Sequence, residues 1–183
     1  LKDMRKALLL LLLMIGLMPV KSWGTESDSI RISLLTCAPG NEIYSLFGHT
    51  ALRYENLTKQ EDWVFNYGMF SFNTPDFVMR FVKGETDYQL GLIQYPYFEG
   101  EYAMRGSSVY EQELNLTQEE KERVVKLLLE NYRPVNRTYR YNYFYDNCTT
   151  RARDKVEQGI DGKVVYPQSE DIRTFRSIVR EYT

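Results

Sequence analysis

Histidine and cysteine are scarce in this chain of 183 residues, which has one histidine and two cysteines. A zinc site needs three or four closely spaced ligands. So few candidates do not supply them, and we expect no metal and no other cofactor. The formal net charge is −2 and no basic block is present, which disfavours nucleic acid as a partner. Repeats and low-complexity linkers are also lacking, and the length suits a single domain.

The first residues have the pattern of a secretory signal peptide. Arg5 and Lys6 precede an apolar run over residues 7–20, and a small–x–small sequence ends at Gly24. The apolar run is too short for a comfortable membrane span, and no cysteine at the cleavage site indicates a lipid anchor. We therefore expect residues 1–24 to be removed on export to the periplasm or cell envelope.

Residues 25–183 are expected to form one α+β domain. Alternation of apolar and polar residues predicts strands at residues 29–39, 48–56, 61–70, 86–96 and 107–116, and a Tyr-rich strand that starts at Arg137. Helical spacing and capping residues predict helices at residues 73–84, 97–106 and 117–134, another that ends at Gly159, and one within 169–183. The strands come first as a meander, which predicts an antiparallel sheet with helices packed on one side.

One cysteine stands where a helix should begin. Asp146 or Asn147 is the expected N-cap, which puts Cys148 in the first turn. Unpaired N–H groups and the positive end of the helix dipole favour a thiolate there, and Arg151 and Arg153 act in the same direction. The same N–H groups, supported by Asn147, Asp146 and Arg151, are expected to hold an oxyanion. The pattern is typical of a cysteine nucleophile.

His49 is the one imidazole available to act as base and then as acid for that thiol. Such a base needs a third group to orient its ring. Asn66, on the next predicted strand, is the first candidate, because a meander brings neighbouring strands side by side. Asp62 and Asp146 are the alternatives.

Other interpretations of these residues stay open. Two cysteines in an exported protein also suit a Cys37–Cys148 disulfide. Cys37, at the end of an apolar strand, equally suits a small buried side chain. His49 beside a glycine can be structural, and Ser45 is an alternative hydroxyl nucleophile four residues before it.

Five segments together resemble the Lnb N-terminal periplasmic domain family. They run from about Leu34 to Asp154 and read LLTCAPGNEIYSLFGHTALR, VFNYGMF, VKGETDYQLG, YEQELNLTQEE and NRTYRYNYFYDNCTTRARD. That family is similar in turn to permuted papain-like folds, the NlpC-type peptidases and the lecithin:retinol acyltransferase group, in which a histidine strand precedes an Asn-Cys helix. The resemblance implies Cys148 as nucleophile and His49 as base, while Asn66 matches only in its order along the chain.

The candidate residues and the papain-like similarity together lead to a hypothesis for the function, although the family similarity does not by itself imply an activity. We expect an exported cysteine-dependent hydrolase or acyltransferase acting on an ester or amide bond in a peptidoglycan peptide, a lipid or an envelope protein. Tyr67 and Tyr143 are expected to line its cleft, although a Tyr-rich core is the alternative. Family members continue into membrane segments, so we expect this chain to continue past Thr183 and to lie near the membrane. The rival hypothesis is a non-enzymatic envelope-binding or assembly domain that a Cys37–Cys148 disulfide stabilises.

Overall fold

A computed structural model describes residues 30–41, 45–70, 76, 79–80, 83–168 and 173–182. The predicted signal peptide and most of the predicted helix at 73–84 lie outside these residues. The described strands are β1 (Ile30–Cys37), β2 (His49–Asn56), β3 (Glu61–Met69), β4 (Asp87–Gln94), β5 (Val109–Glu113) and β6 (Thr138–Arg140). The described helices are α1 (Tyr95–Met104), α2 (Gln118–Tyr132), α3 (Cys148–Gly159) and α4 (Phe175–Tyr182).

The six strands form one antiparallel sheet in the order β5-β1-β2-β3-β4-β6. The first four strands are neighbours in chain order, as a meander requires, and β5 and β6 add to the two edges. The pairing of β1 with β2 sets Cys37 opposite His49, and β3 carries an irregularity in its pairing with β4 between Asn66 and Met69. The α+β class with an antiparallel sheet is confirmed.

Alternation along the strands divides the core between the two faces of the sheet. One face packs against α2 and α3 and contains the larger cluster: Ile32, Leu52, Phe65, Tyr67, Tyr88, Leu90, Val124, Leu128, Tyr139 and Ala152. The other face holds a smaller cluster: Leu35, Cys37, Ala51, Val64 and Phe98. Each face is therefore covered, and β1 contributes buried apolar side chains to both: Ile32 to one face, and Leu35 and Cys37 to the other.

The expectation that all helices pack on one side of the sheet is wrong. Phe98 of α1 is fully buried against Leu35, Ala51 and Val64, on the face opposite α2 and α3. The helix follows β4 directly, with Pro96 in its first turn. A sheet whose strands carry apolar residues on both faces needs a second layer, and α1 supplies it.

The two helices behind the larger cluster are fixed by local signals that the sequence contains. Thr117 and Glu120 form the predicted capping box of α2, and each accepts a backbone N–H of the other. α3 ends at Gly159, as predicted, where a Cβ would lie 2.3 Å from Cγ2 of Val124. Glycine at this position therefore lets α3 approach α2 closely.

Candidate active site

A tight turn delivers the chain to the start of α3. β6 ends at Arg140, so the predicted Tyr-rich strand is much shorter than expected. The Asn142 side chain accepts the N–H groups of Phe144 and Tyr145 at 3.1 and 3.0 Å, and its backbone pairs with Asp146 in both directions. These bonds compete with extension of the strand and turn the chain within a few residues.

Asn147, rather than Asp146, is the N-cap of α3. Its side-chain oxygen accepts the N–H groups of Thr149 and Thr150 at 2.9 and 3.0 Å, and its backbone N–H donates to the Thr150 hydroxyl. Its Nδ2 donates to the carbonyl of Tyr143 at 2.8 Å. Asn147 thus supports the site by fixing the helix start, and Cys148 is the first helical residue, as expected.

His49 and Asn66 meet across β2 and β3. Nε2 of His49 lies 2.6 Å from Oδ1 of Asn66. An amide oxygen only accepts hydrogen bonds, so Nε2 carries the proton and donates it. Nδ1 is then the ring nitrogen that the bond to Asn66 does not use, and a hydrogen bond between His49 and Cys148 shifts the pKa of both groups. The structure therefore brings together all three residues of the expected Cys–His–Asn set.

Cys148 is held in a form that ionises easily. Burial by itself raises the pKa of the thiol, but the hydrogen bond and charge of His49, the N–H of Thr50 and the hydroxyl of Thr149 outweigh it. Together they lower the pKa from 9.0 to about 7. The Cys148 thiol should therefore ionise near neutral pH.

The same contacts act on the base. Burial tends to lower the pKa of His49, but its bonds to Cys148 and Asn66, and the charge of Cys148, raise it above the ordinary value. The raised His49 pKa and the lowered Cys148 pKa both favour a thiolate–imidazolium pair.

Gly48 sets the position of His49. Its φ is +73°, a conformation that L side chains rarely adopt, and a Cβ would lie 2.6 Å from the carbonyl oxygen of Cys37. Its N–H donates to the carbonyl of Ser45 at 3.0 Å, which closes the turn before β2. The close approach to β1 thus requires glycine immediately before the histidine.

Cys37 and Cys148 are both free thiols, so the expected alternative of a disulfide is not found. Cys37 is only 2 % exposed and packs among Leu35, Ala51 and Phe98. Burial raises its pKa to about 11, although a hydrogen bond with Tyr102 opposes the shift. Cys37 thus matches the interpretation of a small buried side chain.

Comparison with protein-family models gives a match. The model of the Lnb N-terminal periplasmic domain family matches residues 21–182, nearly the whole chain. The chain belongs to this family. A search of curated proteins and a search of solved structures each found no match. In the described part of this Lnb N-terminal periplasmic domain, no helix is both long and apolar enough to cross a bilayer.

Arg151 braces this Lnb domain at a distance from the thiol. Its guanidinium binds both carboxylate oxygens of Asp146, at 2.5 and 2.8 Å, and stacks 3.7 Å above the ring of Tyr139. Arg153 pairs instead with Asp154 and is exposed. Arg151 thus holds the turn before α3 against the core, and the expected effect of the two arginines on the Cys148 thiolate stays a prediction.

The two tyrosines expected in the cleft have different environments. Tyr67 is fully buried, and its hydroxyl donates to Asn131 of α2 at 2.8 Å, so placing it in the cleft was wrong. It belongs to the Tyr-rich core that was the alternative. Tyr143 is half-buried and packs edge-to-face on Phe47, with ring centroids 4.7 Å apart. This aromatic pair is linked to both candidate catalytic residues. Phe47 lies two residues before His49, and the carbonyl of Tyr143 accepts a hydrogen bond from Asn147, the residue before Cys148.

The alternative groups for the chemistry are engaged elsewhere. Asp62 forms a two-bond ion pair with Arg53, with both distances 2.8 Å, and so is not the partner of His49. The carbonyl of Ser45 accepts the N–H groups of Gly40 and Gly48, which makes Ser45 part of the turn before β2. Among the described residues, no cluster of three or more His, Cys, Asp or Glu side chains could hold a metal.

Sequence reasoning missed two threonines at the site. Thr50 follows His49 and Thr149 follows Cys148, and their hydroxyl oxygens lie 2.9 Å apart. The contact joins the first turn of α3 to β2. The signal in the sequence is position alone, since each threonine comes directly after one of the two candidate catalytic residues.

Proposed function

We propose that this periplasmic domain is a cysteine-dependent hydrolase or acyltransferase that cleaves an ester or amide bond in the cell envelope. The mature protein would act after removal of residues 1–24, and the bond would lie in a peptidoglycan peptide, a lipid or an envelope protein. Cys148 is the nucleophile, His49 the base and acid, and Asn66 the residue that orients His49.

One observation carries this proposal: His49 has both an acceptor for its ring N–H and an ionisable thiol as partners. Nε2 is 2.6 Å from the acceptor oxygen of Asn66, and the interaction of His49 with Cys148 shifts the pKa of both groups. A purely structural histidine needs no ionisable thiol as its second partner. The bond to Asn66 leaves Nδ1 as the basic nitrogen, which in this proposal takes the proton of the nucleophile.

The proposed reaction has two steps. In the first, the Cys148 thiolate attacks the carbonyl carbon, and the C–S bond forms as an electron pair moves to the carbonyl oxygen. The tetrahedral intermediate collapses when its bond to the leaving oxygen or nitrogen breaks, and His49 gives its proton to that atom. In the second, water or an acceptor amine or hydroxyl attacks the thioester, His49 takes its proton, and the thiolate is released.

The order of elements supports a permuted papain-like arrangement as part of the proposal. The strand that carries His49 comes before the helix that begins with Cys148, and Asn66 lies on the strand next to that of His49. The Phe47–Tyr143 pair would form an apolar wall beside the thiol for the group attached to the reacting carbonyl.

Trapping of the covalent intermediate tests the proposal. The mature protein is incubated with para-nitrophenyl acetate, the released phenolate is followed, and the modified residue is mapped by mass spectrometry. We expect an acetyl thioester on Cys148, an unchanged result in Cys37→Ala, and loss of the adduct in Cys148→Ala. Peptidoglycan fragments, phospholipid vesicles and an added amine acceptor then distinguish substrate classes and hydrolysis from transfer.

A folded wild-type protein that shows neither Cys148-dependent release of phenolate nor an acetyl group at Cys148 would contradict the proposal. Equal acetylation of Cys37 would contradict the assignment of the nucleophile. A Cys37–Cys148 disulfide in the mature, unreduced protein would favour the rival hypothesis of an envelope-binding or assembly domain.

A further inference from the structure

The start of α3 has fewer free donors than the sequence suggested. The N–H groups of Thr149 and Thr150 are already engaged in the cap, since both donate to the side-chain oxygen of Asn147. The amide nitrogen of Asn147 is also engaged, with the Tyr143 carbonyl. The N–H of Cys148 is the donor that this cap does not use. An oxyanion site built from several preorganised donors therefore needs another group here.

The hydroxyl of Thr149 lies where such a donor is needed. Its Oγ1 is 4.0 Å from Sγ of Cys148, and the residue is exposed to solvent, so a substrate can reach it. The carbonyl oxygen of a substrate under attack lies within a few ångströms of the attacking sulfur. The hydroxyl can therefore donate to the developing oxyanion without a rearrangement of the helix.

Thr50 holds this hydroxyl in place. The two threonine oxygens are 2.9 Å apart, and when Thr50 donates, the proton of Thr149 is left free to point toward the thiol. The contribution of Thr149 to the lowered pKa of Cys148 requires its hydroxyl to donate toward the sulfur. A hydroxyl that already receives a hydrogen bond is also a stronger donor, because chains of hydrogen bonds polarise one another.

We propose that the Thr149 hydroxyl is a catalytic residue that donates to the oxyanion formed at Cys148, with Thr50 as the positioning residue that orients it. The inference rests on the proposed function, because it assigns a role within the same acyl transfer. Thr150, one position further on, differs: its hydroxyl accepts from the N–H of Asn147 at 2.9 Å and donates to its carbonyl at 3.2 Å. Thr150 thus offers a matched threonine whose hydroxyl serves the cap.

Two reactions of the same thiol test the inference. Acetylation by para-nitrophenyl acetate passes through an oxyanion, whereas alkylation by iodoacetamide at the sulfur does not. Both are measured on wild type, Thr149→Val, Thr149→Ser, Thr50→Val and Thr150→Val, at a pH high enough for Cys148 to be fully ionised in every variant. Thermal unfolding of each variant is measured in parallel.

Thr149→Val should slow acetylation by about a hundredfold, the lower end of the range for loss of one oxyanion donor, while alkylation changes less than about twofold. Thr149→Ser should restore acetylation, and Thr50→Val should give a smaller loss in acetylation alone. Thr150→Val should instead lower the unfolding temperature, with acetylation per folded molecule nearly unchanged.

Equal slowing of acetylation and alkylation in Thr149→Val would overturn the inference, because it would place the effect on the thiol itself. Unchanged acetylation in that variant would overturn it as well. Both results leave the proposed function standing. A wild-type protein that is alkylated but never acetylated would instead overturn the proposed function, and this inference with it.

Discussion

The two cysteines lie at the same end of the sheet, yet their environments have opposite effects on them. Cys37 closes β1 directly opposite His49 in the pairing of β1 with β2, and burial among apolar side chains raises its pKa to about 11. Cys148 begins α3, and although burial also opposes its ionisation, its partners lower its pKa to about 7.

The difference shows that the partners of a thiol, rather than its burial alone, decide its pKa here. Both thiols are shielded from water, which destabilises the charged form. Cys148 has an imidazole, a backbone N–H and a hydroxyl as partners, whereas at Cys37 the hydrogen bond with Tyr102 does not outweigh burial. One end of the sheet thus holds a thiol whose pKa is raised and a thiol whose pKa is lowered.

The largest expected effect comes from removing each thiol in turn. At pH 7, about half of the Cys148 thiols but only about one in ten thousand of the Cys37 thiols should be ionised. Cys148→Ala should therefore abolish labelling by iodoacetamide, whereas Cys37→Ala should leave the rate unchanged. The rate should rise with pH through a midpoint of about 7, since the thiolate is the reacting form.

Peptide mapping of the alkylated protein checks this prediction, with circular dichroism to show that both variants are folded. Labelling of Cys37 at a rate equal to that of Cys148 would break the comparison. A midpoint near 9.0 would show that the environment of Cys148 does not stabilise its thiolate.

Replacing His49 should raise the pKa of Cys148 toward that of Cys37. In His49→Ala, the opposing effect of burial should move the midpoint of Cys148 labelling to 9.0 or above. The thiolate fraction at pH 7 would fall about fiftyfold, and the net rate by about sixfold, because a thiolate of higher pKa is more nucleophilic. Ultraviolet titration of the thiolate in the Cys37→Ala background measures the midpoint directly.

Asn66→Ala provides the graded comparison for that experiment. It removes the acceptor for Nε2 but keeps the imidazole, so the midpoint should move in the same direction by less. A shift in Asn66→Ala as large as that in His49→Ala would mean that the ring loses its contact with Cys148 altogether. No shift in His49→Ala would remove His49 from the site.

The smallest expected effect on labelling comes from Gly48, which lies between the two thiol environments. Gly48→Ala places a Cβ 2.6 Å from the carbonyl of Cys37 in addition to the cost of φ +73°. Gly106→Ala is the control, because Gly106 has φ +66° with nothing within 4 Å of a Cβ. Gly106→Ala should cost about 1 kcal/mol of unfolding free energy, and Gly48→Ala about 2 kcal/mol or more.

Urea denaturation measures both free energies, and the labelling midpoint of Cys148 reports any displacement of His49. Equal losses in the two variants would show that the backbone of β1 yields to the added methyl group. A larger loss in Gly106→Ala would contradict the geometry at Gly48.

Features written in a few neighbouring residues could be predicted from the sequence. Alternation placed the first five strands, and the Thr117–Glu120 capping box placed the start of α2. The Asn-Cys sequence placed Cys148 at the start of α3 for the same reason, since a cap and its helix are local. The signal peptide and the catalytic roles stay predictions.

Features that depend on distant segments were not predictable in the same way. The burial of Tyr67 depends on Asn131, 64 residues away, and the direction of Arg151 depends on the ring of Tyr139. Likewise, α1 was placed on the wrong side because its own sequence does not tell which face of the sheet remains uncovered. In each case the outcome depends on which helices and strands pack against each other, and this is not encoded in the neighbouring residues.

The sequence by itself determined that a cysteine would begin a helix and that a lone histidine would open a strand, because caps and alternation act over a few residues. Only the tertiary structure decided that His49, Asn66, Cys148 and the Thr50–Thr149 pair would meet at one point. Strand register and helix docking fix those contacts, and both are set by packing between residues far apart in the chain.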